Sequence, residues 1–173
     1  MTSTPMSLCF LFRTGPAGRR EVLLGRKKRG FGTGKTVGLG GKLEPGEIAV
    51  AAAAREIGEE CGILVQAADL REAADIEFRF PHRPEWDMRV AVFTGERFTG
   101  EARETAEIAP RWYGVDDLPH LELWDDNRYW LPQVLAGRRL RAVFVYAEDG
   151  ETVATAQVEA MQIEDARGEL EHD

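Results

Sequence analysis

The sequence predicts an α/β fold, on three observations. Short apolar runs of strand length recur along the chain, one long alanine-rich segment reads as a helix, and 173 residues with 43% hydrophobic content suffice for one well-buried core. A single domain over residues 1–173 follows, with its core about 7–160 and a frayed tail at the charged segment 164–173. Twenty-two Lys plus Arg against thirty Asp plus Glu give a net charge of -8, which repels a nucleic-acid polymer. An acidic small substrate then needs local positive charge.

The first element is the apolar run 7–12, SLCFLF, suited to a buried strand. A turn-rich TGPAGRRE leads to a second strand, VLLGR. The N-terminal apolar run has no basic leader and stops at Arg13, too short to be a signal peptide or to span a bilayer, so a cytoplasmic protein without membrane partners is expected. Cys9 and Cys61 lie far apart with no CxxC pattern, and both are read as reduced thiols. Glycines at 30, 32, 34, 38, 40 and 41 exclude a long helix from the next dozen residues and suggest backbone held close to something.

Residues 47–61 form the strongest helix: PG precedes it, alanines fill its first half, and Gly62 supplies its stop. Strands follow at 76–80 and 88–93, separated by the turn PHRPEWD. After a further short strand, a helix starts near Asp126 or Asn127, where a side-chain oxygen can cap, and runs to Leu135. The last structured stretch reads as a hairpin turning at Asp149 and Gly150.

Residues three and four apart share a helical face, so Glu56 aligns with both Glu59 and Glu60. Like charges so placed repel one another, and a hard divalent cation such as Mg²⁺ or Mn²⁺ offsets that repulsion because it prefers oxygen ligands. A lone ExxEE reads more simply as a solvated acidic face. Here, however, Gly41 and Glu47 precede it at fixed spacing, Arg55 and Ile57 stand within it, and Gly62 and Ile63 close it.

This arrangement resembles the Nudix box, G-x5-E-x7-R-E-U-x-E-E-x-G-U with U aliphatic, at every specified position. The resemblance implies a Nudix-type α/β/α sandwich: a mixed sheet with the 47–61 helix on one side and the Asn127–Leu135 helix on another. It also implies that Glu56, Glu59 and Glu60 handle metal and water and that the carbonyl of Gly40 is an additional metal ligand. Glu47 is expected to brace Arg55, with Gly41 and Gly62 as structural members of the box. Relatives also use an acidic residue from a later loop; Glu107 matches that position, with Glu104 second, so the expected catalytic set is Glu56, Glu59 and Glu107. GTGKT at 32–36 echoes the end of a P-loop, but Arg29 stands where the first glycine is required and no long helix follows.

GRKKRGFGTGK, the FxF at Phe78 and WDDNRYWLP extend the resemblance to the MutT-like branch, which includes the mammalian oxidised-purine nucleoside triphosphatase. The implied function is Mg²⁺-dependent hydrolysis of a nucleoside triphosphate such as 8-oxo-dGTP or 2-oxo-dATP to monophosphate and pyrophosphate, by a monomer or homodimer. Other expectations within the fold are ADP-ribose or dinucleoside polyphosphate hydrolysis, or nucleotide sensing without catalysis. Of Lys27, Lys28 and Arg29, candidates to face the phosphates with a solvated basic turn as the competing use of at least two, Lys27 is the choice, and Gly40 and Gly41 are expected to lie against the substrate. Trp124 is expected to stack on the base, with Phe31, Phe78 and Met88 lining its pocket, although core packing is the competing use of each. Base reading falls on Asp126 and Asn127. Asn127 stands where the mammalian relative has a second Asp, and Val37 replaces a base-binding Asn.

Overall fold

The computed structural model describes residues 3–162, so the expected tail at 164–173 lies outside the described residues. Its strands are β1 (Thr4–Thr14), β2 (Arg20–Lys27), β3 (Thr36–Val37), β4 (Leu39–Lys42), β5 (Arg71–Arg79), β6 (Met88–Gly95), β7 (Ile108–Gly114), β8 (Leu140–Tyr146) and β9 (Val153–Ala160). The helices are α1 (Ala49–Cys61) and α2 (Asn127–Leu135), with short 3-10 turns at Ala67–Asp69, Pro84–Trp86 and His120–Glu122.

The strands follow the order β3-β2-β1-β6-β5-β8-β9, with β4 also on β1 and β7 on β2. Pairings β1–β6 and β5–β8 are parallel and the others antiparallel, so the sheet is mixed as expected. β1 changes neighbours along its length. Its residues 4–11 run beside β6, residues 6–9 also pair with β4, and residues 12–14 pair with β2.

Side chains alternate across a strand, and β1 uses both faces. Cys9 and Leu11 join Leu23, Leu39, Ile57 and Ile63 in the core beneath α1. Phe10 and Phe12 join Val22, Leu24, Trp130 and Leu131 in the core beneath α2. That near-continuous apolar run is therefore what a strand covered on both faces requires. α1 buries Ala52, Ala53, Ile57, Glu60 and Cys61, and its small residues bring it close against β4 and β1. Gly62 ends it with φ 81°, a left-handed conformation that glycine adopts without a Cβ penalty.

Four local expectations are corrected. α1 begins at Ala49 instead of 47, because Glu47 is held outside the helix by Arg55. The strands read as 7–12 and 76–80 are longer or shifted, at Thr4–Thr14 and Arg71–Arg79, because pairing with neighbouring strands, β6 and β2 for the first and β6 for the second, carries them through polar residues. Asp126 does precede α2, yet its side chain makes no capping bond; both its oxygens go to buried donors elsewhere. The last hairpin forms, but its connection spans residues 147–152, with Asp149 accepting from the backbone N–H groups of Glu151 and Thr152. Cys9 and Cys61 are free and buried. No helix among the described residues is long and apolar enough to cross a membrane.

Candidate active site

The acidic end of the site is organised by one cation. Arg55 donates from Nε and Nη2 to the two carboxylate oxygens of Glu47, each at 2.8 Å, a bidentate pairing that Lys cannot reproduce. Its Nη1 reaches Glu56 at 3.0 Å and Glu59 at 3.1 Å, and Nη2 also donates to the carbonyl of Lys42. The guanidinium holds the Glu47 carboxyl well down, at about 2. A single side chain thus ties the loop before α1, the end of β4 and the acidic helix face together.

Glu60 takes the other direction. It is 9% exposed and accepts a hydrogen bond from the backbone N–H of Gly40 at 3.1 Å. Burial pushes its pKa up to about 8, with Glu56 and Glu107 adding to the rise while Gly40 and Lys27 oppose it. The Glu56 pKa is also raised, chiefly by burial, against the pull of Arg55. Gly41 leaves the Glu56 carboxylate its place: a Cβ there would sit 2.6 Å from the carboxylate carbon, so the side chain of Glu56 would have to shift.

Glu56, Glu60 and Glu107 line one cavity of about 680 Å³ together with Gly40, Gly41 and Lys27. Glu59 does not line it: its side chain is 59% exposed, held outward by Arg55, so the expected convergence of three helix carboxylates becomes two facing inward and one outward. Glu107 reaches the cavity from the residue before β7 and is paired with Arg29 at 2.8 Å. Glu104 instead binds Lys28, away from the cavity. Among the described residues, no three acidic, His or Cys side chains stand positioned to enclose an ion. The donor set nonetheless fits a hard dication: two crowded carboxylates over a glycine pair that leaves no room for a Cβ, with burial and like charge both favouring neutralisation.

The far end of the same cavity is aromatic. Phe31, Phe78, Met88 and Trp124 line it, as do Asp126 and Asn127. Phe31 and Trp124 stack at 5.4 Å with 15° between their planes, and Lys35 Nζ lies 5.0 Å from the Trp124 ring while paired with Glu151. Asp126 is 4% exposed; Trp130 Nε1 donates to it at 2.7 Å, and the Tyr146 hydroxyl donates to its other oxygen. Burial raises the Asp126 pKa. Asn127 donates from Nδ2 to the Trp124 carbonyl at 3.1 Å.

The sequence reading missed Trp86 and Phe80, which line the cavity, and ranked Arg29 behind Lys27 as a cation facing the phosphates, whereas both line it. Trp86 stands 5.0 Å from Phe31 and 5.6 Å from Phe80. Its signal was an aromatic in a proline-containing turn between two strands that supply Phe78 and Met88. Among the residues read as structural box members, Glu47, Arg55 and Gly62 stand outside the cavity, while Gly41 is in its wall.

A sandwich whose helix carries paired glutamates beside a strand with paired glycines, latched by one arginine, defines a Nudix hydrolase. The chain belongs to that family, with residues 5–134 matching the NUDIX domain. Hydrolases of the family need a divalent metal ion and act on nucleotide substrates. More narrowly, the chain is similar to the oxidized purine nucleoside triphosphate hydrolase of Danio rerio, 37% identical over 145 residues, which span 84% of this chain and 88% of that protein. It is 37% identical over 134 residues to the Mus musculus protein of the same name, spanning 78% of this chain and 83% of that one. The crystal structure of a MutT protein from Bacillus halodurans has the same fold, with TM-score 0.76 and 22% identity over 90% of this chain and 97% of that one.

Proposed function

We propose that the protein hydrolyses oxidised purine nucleoside triphosphates such as 8-oxo-dGTP to the monophosphate and pyrophosphate, with Mg²⁺ as the preferred ion. The observation that carries this is the continuity of one cavity, acidic and cationic at one end and aromatic at the other, which suits a polyphosphate joined to a planar base. The similarity to the zebrafish and mouse proteins supports the choice of base.

Glu56, Glu60, Glu107 and the Gly40 carbonyl would hold the ion. When bound, it neutralises charge on the phosphate oxygens and lowers the pKa of a water. Lys27 supplies fixed positive charge toward the phosphates. Arg55 orients Glu56 and opposes the rise in its pKa, and Glu56 rather than Glu59 is the base that receives the proton of the attacking water, because it faces the cavity. Glu107 is the acidic residue that the later loop contributes to the site.

At the other end, Phe31, Trp124 and Met88 form stacking walls. Oxidation at C8 turns the purine N7 from an acceptor into an N–H donor, and the Asn127 amide oxygen is suited to receive it once Nδ2 is committed to Trp124. Val37 offers that base no side-chain hydrogen bond. Discrimination therefore rests on the Asp126–Asn127 corner and on stacking.

Pyrophosphate and monophosphate release from 8-oxo-dGTP, 2-oxo-dATP, the ordinary purine triphosphates and ADP-ribose, with and without Mg²⁺, tests the reading. Turnover of the oxidised triphosphates in preference to dGTP and ADP-ribose is expected; preference for ADP-ribose, or none for any triphosphate, would overturn it.

A further inference from the structure

β2 and β7 are antiparallel with Lys27 opposite Ile108, so the residues just beyond their ends face each other. The backbone N–H of Lys28 donates to the carbonyl of Glu107 at 2.9 Å, and Lys28 Nζ turns away to Glu104 and to the carbonyl of Thr105. Arg29 turns the other way. Its Nη2 donates to Glu107 Oε1 at 2.8 Å, and both side chains belong to the wall of the cavity. Of the three consecutive cations, Lys27 and Arg29 therefore line the cavity, and Arg29 is the one bound to a carboxylate of the proposed catalytic set.

We infer that Arg29 is an exchangeable counterion: it occupies Glu107 in the nucleotide-free protein, passes to the substrate polyphosphate on binding, and thereby releases Glu107 to the metal ion. This rests on the reading of Glu107 given above. The balance of energies permits the exchange. The Arg29 and Glu107 side chains are 63% and 55% exposed, and an ion pair so hydrated contributes little. A guanidinium meeting a phosphate through two parallel N–H donors gains a stronger, charge-assisted contact. Metal and nucleotide then bind cooperatively without movement of either strand, because each removes the other's competitor.

Mn²⁺ titration of the nucleotide-free protein, alongside steady-state kinetics, tests this in the wild type, Arg29→Ala, Arg29→Lys, Glu107→Gln and the Arg29→Ala/Glu107→Gln pair. Arg29→Ala is expected to bind Mn²⁺ several-fold more tightly without nucleotide, while its KM for the triphosphate rises about tenfold through the lost phosphate contact. Arg29→Lys restores the competition for Glu107 but only part of the KM, since an ammonium lacks the planar fork. In the Glu107→Gln background, removing Arg29 no longer changes Mn²⁺ affinity. Unchanged Mn²⁺ affinity in Arg29→Ala would overturn the exchange, as would tighter Mn²⁺ binding with an unaltered KM. The metal titrations need no turnover, so they remain decisive even if another nucleotide proves to be the substrate.

Discussion

At the scale of single residues, the site contrasts two buried or half-buried carboxyl groups with opposite roles. Asp126 receives a hydrogen bond at each oxygen from Trp130 and Tyr146, so Asp126→Ala strands two buried donors at a cost of about 1 to 3 kcal/mol each, measurable as a fall in unfolding midpoint in denaturant. Glu56 makes no such structural investment beyond Arg55. Glu56→Gln is expected to lower kcat about 100-fold or more with little change in stability, and equal stability with undiminished turnover would remove it from the base role. Glu47 supplies a pH dependence with a definite sign. Arg55 depresses its folded pKa from the usual 4.5 to about 2, so its contribution is present above pH 4.5 and is lost as pH falls through about 2. Acid unfolding of Glu47→Gln, followed by far-ultraviolet circular dichroism, should show a flatter dependence over that window than the parent.

The box was legible in the sequence at the scale of elements because its parts are local: Gly41 lies in one short strand, Glu47 in the loop after it, and Arg55 and the other glutamates share the helix that follows, where spacing fixes neighbours. Sequence spacing did not reveal that Arg55 would pull Glu59 outward while Glu60 turned to the Gly40 N–H, because that depends on the β4 approach to α1. Nor did it show that Asp126 would serve Tyr146, twenty positions on and across β8, instead of capping α2. Trp86 was hidden for a similar reason: its aromatic neighbours Phe31 and Phe80 come from a loop and from the residue after β5. The glycine pair of β4 carries its own test. Gly41→Ala places a methyl 2.6 Å from the Glu56 carboxyl carbon, so hydrolysis should fall sharply while the circular dichroism spectrum stays native, since the helix itself loses no contact. A variant as active as the parent would show that Glu56 can be displaced freely.

Considering the whole molecule, the two apolar cores lie on opposite faces of the same strands, and neither can lose its sheet without the other. Thermal unfolding is therefore expected as one transition, with tryptophan fluorescence from Trp130 and Trp112 coinciding with the loss of far-ultraviolet ellipticity. Two resolved transitions would contradict it. With eight more acidic than basic groups overall and carboxylates gathered in one cavity, Mg²⁺ should raise the midpoint as its concentration passes its dissociation constant. Glu60→Gln should abolish most of that rise. The fold class was legible because the apolar runs were long enough to be covered on two sides; the order of strands was not, because β1 exchanges partners partway along its length.

The alternation along β1 also separates two kinds of change. Cys9 and Leu11 press on the helix that carries the glutamates, while Met6, Leu8, Phe10 and Phe12 press on the opposite face, where the base chamber lies. Substitutions at even-numbered positions can reshape nucleotide preference and leave the hydrolytic helix seated as before. Inserting one residue would exchange the two sets at a stroke. A lineage built on this strand can diversify its diet without relearning its chemistry.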